Sequence, residues 1–484
     1  MSISGALSNA RTGLTAAARA AEVVSANVAN ALTPGYGRRE LELSAQSLGG
    51  NGTGVRIEGI RRTVDQPIIA ERRLADAGLA DQAARADFLA RIEQAIGTPD
   101  DPRSLTGRIN ALEASLIQAA SRPDSLPRLQ ETLDAASALA GALNAASDTV
   151  QAQRMEADRE IARQVERLNK GLENIALLNR KITTQLGAGR DATALMDQRQ
   201  QEVDRIASIV PLREVPRDRG QIALYTPGGA ILLDGAPATL SFTPAGVIVP
   251  EMSVASGALS EVSLNGRILP AGEGGPLAGG NLGALFYIRD NLAIDAQGRL
   301  DALARDLVER FADPATDPTL GPTDPGLLTD AGSIFDPANE LGLSGRITVN
   351  PLADPRAGGT LLKLRDGLGA APASAPGDAT RLLALADALT ASRVPASTTI
   401  SNVARSASGL SSDVASFFGN LRLSAEADQS FASALADGLR ETELQGGVDS
   451  DFEMQQLLLV EQAFSANARV ISTIDDLIQT LLGL

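Results

Sequence analysis

Residues 25–36 read Ser-Ala-Asn-Val-Ala-Asn-Ala-Leu-Thr-Pro-Gly-Tyr, and this stretch decides how the chain is organised. Upstream of it, apolar or small residues recur at Ile3, Leu7, Ala10, Leu14, Ala17, Ala21, Val24 and Val28. The steps alternate between four and three, which is the a/d seam of a coiled coil. Pro34 and Gly35 then stop the helix and make a turn. An amphipathic helix of this kind gains little alone in water, because most helical stability comes from packing. Its stripe therefore needs a partner.

The far end of the chain supplies a match. Ser450-Asp451-Phe452-Glu453 reads as a capping box that opens a helix. Leu457, Val460, Phe464, Asn467, Ile471, Ile474, Ile478 and Leu481 again step by three and four, and Gly483 can close the helix. Each segment spans roughly 42–45 Å at ~1.5 Å rise per residue. Two stripes of equal length at opposite ends predict two helices that pair as a coiled coil. Alanines at several seam positions let the axes approach closely. The larger seam residues, with Asn27, Asn30, Pro34, Gly35 and Tyr36, form the candidate subunit-assembly interface. Asn27, Asn30 and Asn467 are expected to specify register through paired side-chain hydrogen bonds, with simple capping the alternative for Asn30. The Pro34-Gly35 turn is either a generic helix stop or the fixed exit of the chain from the helix. In the second case Tyr36 packs against the partner helix or a neighbour.

Working inward, residues 65–210 read as long helices. Ile161, Val165, Leu168, Leu172, Ile175, Ile182 and Leu186 share a heptad seam interrupted by Asn179. Residues 211–275 read as β-structure. The clearest hairpin runs Val262-Ser263-Leu264, Asn265-Gly266, Arg267-Ile268-Leu269, since Asn-Gly tolerates the positive φ angles of a tight turn. A second strand pair flanks Pro227-Gly228-Gly229. Residues 284–312 return to helix, 313–377 give loops and short strands with Ile347-Thr348-Val349 among them, and helices resume near Ala379 as far as Leu444. The expected fold is α+β and mainly α. Residues 1–60 with 446–484 make a terminal helical coiled-coil domain, 61–210 with 378–445 a helical bundle domain, and 211–377 a β-rich outer domain with a helix near 284–312.

Composition narrows the function. Apolar residues make up 44% of the 484, enough for packed cores, while aromatics are only 3%. A net charge of −16 disfavours a nucleic-acid partner, which needs a basic excess. With no Cys and no His, disulfides, thiolate nucleophiles, Cys/His zinc sites and His-based triads are excluded. No carboxylate stands out from its solvated neighbours as a catalytic acid, and Asp313, Asp317, Asp324 and Asp330 do not match a calcium loop. No catalytic residue, cofactor or metal site is predicted. No uncharged apolar run reaches the ~18 residues of a membrane span, and Met1 to Gly13 lacks the apolar stretch of a cleaved signal, so neither membrane insertion nor signal cleavage is expected.

Ser25-Ala26-Asn27-Val28-Ala29-Asn30, followed by Thr33-Pro34-Gly35-Tyr36, resembles the signature of flagellar axial proteins, in which an Asn-rich helix end runs into a Thr-Pro-Gly-Tyr-like turn. Gln462 to Thr473 (Gln-Ala-Phe-Ser-Ala-Asn-Ala-Arg-Val-Ile-Ser-Thr) resembles the matching C-terminal signature, and Leu481-Leu482-Gly483-Leu484 its apolar ending. Inside the chain, Ala194-Leu195-Met196-Asp197-Gln198-Arg199 is similar to a segment of the hook-associated protein 1 family, as are Gly283 to Asp290 and Leu300 to Ala304. Members often carry Asn or Ser where this chain has Ala31, and Ser or Thr where it has Gly37.

The resemblance implies a structural subunit of the bacterial flagellum at the hook–filament junction, not an enzyme. It implies self-association in a ring within a helical tube, contact with the flagellar hook protein on one side and with the second junction protein, hook-associated protein 3, on the other. It further implies an extracellular location, reached through type III export with a flagellar export chaperone. Both ends are expected to be mobile in the free subunit and to order on docking. The alternatives are a hook or distal rod protein, a cytoplasmic coiled-coil scaffold, or a carboxylate hydrolase.

Overall fold

This computed structural model describes residues 3–48, 51–270, 272–371 and 373–483. The chain opens with helix α1 (Ile3–Ala29). A hairpin follows, β1 (Arg38–Leu48) and β2 (Asn51–Thr63), antiparallel with two register shifts. Four helices come next: α2 (Gln66–Ile96), α3 (Leu105–Ala120), α4 (Leu126–Gly187) and α5 (Thr193–Ala207).

The β-region is inserted after α5. Strands β3 (Arg213–Pro216), β4 (Ile222–Tyr225), β5 (Ile231–Asp234) and β6 (Ala236–Pro237) form one antiparallel sheet, and β7 (Leu240–Ser241), β8 (Val262–Leu264) and β9 (Arg267–Leu269) form another. The turn between β8 and β9 places Asn265 and Gly266 at φ 50° and 80°, the positive pair that a two-residue hairpin demands. Helices α6 (Gly280–Tyr287) and α7 (Ala293–Ala312) are joined by a π-helical turn at Ile288–Leu292. Strand β10 (Leu328–Asp330), short helix α8 (Leu343–Arg346) and strand β11 (Ile347–Val349) follow, with β10 and β11 paired. Then come α9 (Lys363–Asp366), α10 (Thr380–Thr390), α11 (Ala407–Gln445) and α12 (Ser450–Leu482). The protein is mainly helical, with small antiparallel sheets.

One helix organises the middle of the molecule. The 62 residues of α4 span about 93 Å at ~1.5 Å per residue, and α3, α5, α6, α7 and strands of both inserted sheets pack along it. Its seam residues Ile161, Val165, Leu168, Leu172, Ile175 and Ile182 are all buried, while Leu186 at its end is exposed. Asn179, the polar break in that seam, holds β4: its Nδ2 donates to the Ile222 carbonyl at 2.9 Å and its Oδ1 accepts from the Ile222 amide at 3.3 Å. The π-turn brings Arg289 into the core, where it meets Asp158 at 2.7 Å with both side chains fully buried, beside the rings of Phe286 and Phe242. A buried ion pair of this kind requires both partners.

A single apolar cluster runs from Ala86 on α2 to Ala425 on α11. The terminal elements lie outside it. There, α1 packs against α12 on one flank and against β1 and β2 on another. Two expectations need correction. Residues 38–63 are not part of an all-helical terminal unit but form the β1–β2 ribbon. Leu41 and Leu43 alternate with Glu40 and Glu42, and the Arg61–Glu40 and Arg61–Glu42 ion pairs line one face. In addition, α12 is capped by Asp449 rather than by a box at Ser450: the Asp449 carboxylate accepts from the amides of Asp451 and Phe452 at 2.9 and 3.1 Å.

Candidate functional site

The paired helices α1 and α12 bury less than their stripes would allow. On α1 the described seam residues Ala10, Ala17 and Val24 are buried, Leu14 and Val28 half-buried, and Ile3 and Leu7 exposed. On α12, Leu457, Val460, Asn467, Ile471 and Ile478 are half-buried, Ile474 is buried, and Phe464 and Leu481 are exposed. Of the 33 residues of α12, Glu453 and Ile474 are the buried ones. A second apolar stripe, Phe452, Leu459, Val470, Leu477 and Leu481, runs down the same helix at helical spacing and is 42–60% exposed.

The three asparagines do not pair with one another. Asn467 donates to the Ala463 carbonyl of its own helix at 2.9 Å and sits over Gly13, where an added Cβ would come within 2.7 Å of its Oδ1. Asn30 donates to the Ala26 carbonyl at 2.9 Å, finishing the last turn of α1. Asn27, only 1% exposed, does something else. Its Nδ2 donates to the Arg39 carbonyl at 2.9 Å and its Oδ1 accepts from the Arg39 amide at 3.0 Å. The side chain acts as a strand neighbour for β1 and satisfies both backbone groups of Arg39 on the edge opposite β2. The Tyr36 hydroxyl donates to the same Oδ1 at 2.9 Å, and the Arg39 guanidinium lies 4.9 Å from the Tyr36 ring. Tyr36 thus packs on its own helix and strand, not on a partner helix; burial raises its hydroxyl pKa.

The turn itself is gripped by α5. The Gly37 amide donates to Asp197 Oδ1 at 3.0 Å, Arg62 Nε donates to the same oxygen at 2.6 Å, and Arg39 donates to Oδ2 at 3.0 Å. Arg62 also reaches Gln200 and the Gly35 carbonyl, and Gln201 Nε2 donates to the Pro34 carbonyl at 2.9 Å. Gly35 has φ +76°, and Gly37 leaves the space that Arg62 occupies: a Cβ there would lie 2.4 Å from Arg62 Nε.

Next to this clamp is a collar of charge. Arg72 meets Asp76, Asp204 and Glu443, and Arg73 meets Asp204 and Glu214. Burial alone lowers the Arg72 pKa, yet Asp204, Glu443 and Asp76 carry it above its ordinary value. Arg199 is pushed down to about 10 by burial; it donates to Asn179 Oδ1 and to the Gly220 carbonyl. Across the turn, Arg38 pairs with the buried Glu453 at 2.7 Å and lies 4.9 Å from the Phe452 ring, tying β1 to the first turn of α12. The sequence reading missed Asp197, Arg38, Arg39, Arg62, Arg72, Arg73, Glu443 and Glu453 as contact residues. Among the described residues, no group of three or more Asp and Glu is arranged to hold a metal ion, and no helix is long and apolar enough to cross a membrane.

Comparison with known proteins shows what the chain is similar to. Residues 89–315 match the description of the helical domain of flagellar hook-associated protein FlgK. Over this stretch, a little under half of its length, the chain is similar to the FlgK family. The termini match two further descriptions: flagella basal body rod protein over residues 7–36, and the C-terminal region of the flagellar basal body rod FlgEFG proteins over residues 445–484. Flagellar hook-associated protein 1 of Salmonella typhimurium is 27% identical over 243 residues, covering 49% of this chain and 44% of that protein. The protein of the same name from Escherichia coli K12 is 25% identical over 320 residues, covering 64% of this chain and 56% of that protein. The chain spans about half the length of the curated relatives it matches. The flagellar hook junction protein FlgK from Burkholderia pseudomallei overlaps with a TM-score of 0.45 at 20% identity, covering 54% of this chain and 47% of that one.

Proposed function

We propose that this protein is a structural subunit of the flagellar hook–filament junction and works by assembly, without catalysis. The observation that carries this reading is the open second stripe of α12. Phe452, Leu459, Val470, Leu477 and Leu481 are exposed although α12 already has α1 beside it. Exposed apolar surface of this extent on one helix marks an interaction site. Covering a Leu or Val contributes roughly 1.5–3 kcal/mol each, most of it offset by ordering costs, so the stripe gains its full worth in a closed lattice where every copy is covered.

In this reading the assembly interface is Ile3, Leu7, Leu14, Val24 and Val28 of α1 with Leu457, Val460, Phe464, Asn467, Ile471, Ile474, Ile478 and Leu481 of α12, extended by the open stripe Phe452, Leu459, Val470 and Leu477, and Asn27, Asn30, Pro34, Gly35 and Tyr36 hold the geometry. Residues 1–60 with 446–484 form the inner unit, 61–210 with 378–445 the helical unit, and 211–377 the outer unit. The partners are further copies in a ring, the hook protein, hook-associated protein 3, and an export chaperone before secretion to the cell exterior. Rod and hook proteins are the second reading, because the terminal matches are named for rod proteins. The helical-domain match over 89–315 favours the junction. The test is deletion of the gene followed by electron microscopy. Hooks without filaments, with filament protein shed into the medium, are expected; intact filaments overturn the proposal.

A further inference from the structure

We propose that Asp197 is a positioning residue that sets the angle between the α1–α12 pair and the helical body, at a hinge built from polar contacts. The proposal rests on the assembly reading above, since that reading makes the direction of the pair matter.

The apolar cluster ends at Ala86 and Ala425, so the N-terminal part of α2 and the C-terminal part of α11 leave it before they reach the terminal pair. The chain crosses to that pair twice, through Val64–Asp65 between β2 and α2 and through Gly446–Asp449 between α11 and α12. Beside these crossings, α5 touches the terminal unit through Asp197, Gln200 and Gln201. Asp197 is 8% exposed and takes donors from three separate points of that unit: the Gly37 amide, Arg39 and Arg62. One carboxylate therefore fixes the turn after α1 and both strands of the ribbon that packs on α1.

Charge-assisted hydrogen bonds are directional and strong, but they exchange partners without the volume change that an apolar core would suffer. Acceptors for such an exchange surround the clamp. Asp204, Glu214 and Glu443 already share Arg72 and Arg73. A small cavity of about 20 Å³ lies between Arg62, Arg73, Arg199 and Glu214, room for roughly one water that can relay a donor during the exchange. The 33 residues of α12 act as a lever of about 50 Å, so a rotation of roughly ten degrees at Asp197 moves the far end of α12 by about 9 Å at that length.

The chain has no cysteine, so a Ser121→Cys, Ser472→Cys double variant of the full chain takes two spin labels, one on the body and one on α12. Asp197→Ala and, from the other side of the clamp, Arg62→Gln are expected to broaden and shift the label distance while the urea midpoint of the body stays in place. Addition of subunits to purified hook ends is expected to fall at least about tenfold, since a single lost charge-assisted hydrogen bond is already worth that much. Asp197→Glu, which keeps the charge, is expected to recover part of the addition, whereas Asp197→Asn is not. An unchanged distance distribution in both Asp197→Ala and Arg62→Gln overturns the hinge and leaves the assembly reading standing. A lowered body midpoint in both variants shows a merely structural role and overturns it as well. Normal filaments in the gene deletion would sink the assembly reading while the label distances still report the hinge.

Discussion

The body around α4 and the terminal α1–α12 pair are both helical, yet they are held together by different means. In the body a single apolar cluster joins α2 through α11, and its ionic groups, such as Arg289 with Asp158, sit inside that cluster. At the termini, α12 has two buried residues, and one of them is the Glu453 carboxylate bound to Arg38. The body is held by a continuous apolar core, whereas the pair has little buried core of its own, keeps a stripe open and is fastened to the body by hydrogen bonds and ion pairs. In the proposed assembly, such a build lets the body stay folded while the ends await neighbours.

The largest expected effect lies in the body. Asp158→Ala leaves buried Arg289 with Asp290 as its remaining carboxylate and strips the Ala245 amide of its acceptor; it is expected to destabilise the body by about 3 kcal/mol, measured by urea unfolding. Asn27→Ala strips the Arg39 backbone and the Tyr36 hydroxyl of their partner and is expected to cost about 1–3 kcal/mol locally. Hydrogen exchange at the β1 amides should rise while the body midpoint holds. If that midpoint moved as far as in Asp158→Ala, the two regions would unfold as one and the contrast would fail. Ile474→Ala removes the buried apolar anchor of α12; its open surroundings put the loss at the low end of the usual range, about 2 kcal/mol. Limited proteolysis should then cut α12 faster without touching α4. The smallest effect belongs to Glu166→Gln on the exposed face of α4, where the Lys170 pair is open to solvent; no measurable change in midpoint is expected, and a clear loss would show that surface charge helps hold the body.

The helix stripes were legible because periodicity is local: each helix writes its own seam into successive residues. The β8–β9 hairpin was legible for a similar reason, since Asn265-Gly266 dictates its turn. The β1–β2 ribbon carried a signal that went unread, the alternation of Leu41 and Leu43 with Glu40 and Glu42. The clamp carried almost none. Arg62 and Gly37 stand 135 and 160 positions from Asp197, and in a chain with 43 basic and 59 acidic residues no spacing marks which arginine meets which carboxylate. The segment around Asp197 stood out by resemblance, but its role did not.

By itself, the sequence determined the element types, the matched seams at the two ends, and the absence of any thiol or imidazole chemistry. Those are properties of composition and of neighbours along the chain. The tertiary structure decided where the apolar core stops, that Asn27 serves a strand and not a partner asparagine, and that Asp197 holds the turn after α1. Those contacts join residues far apart in sequence, and the energy of a buried polar contact depends on which groups surround it once the chain has folded.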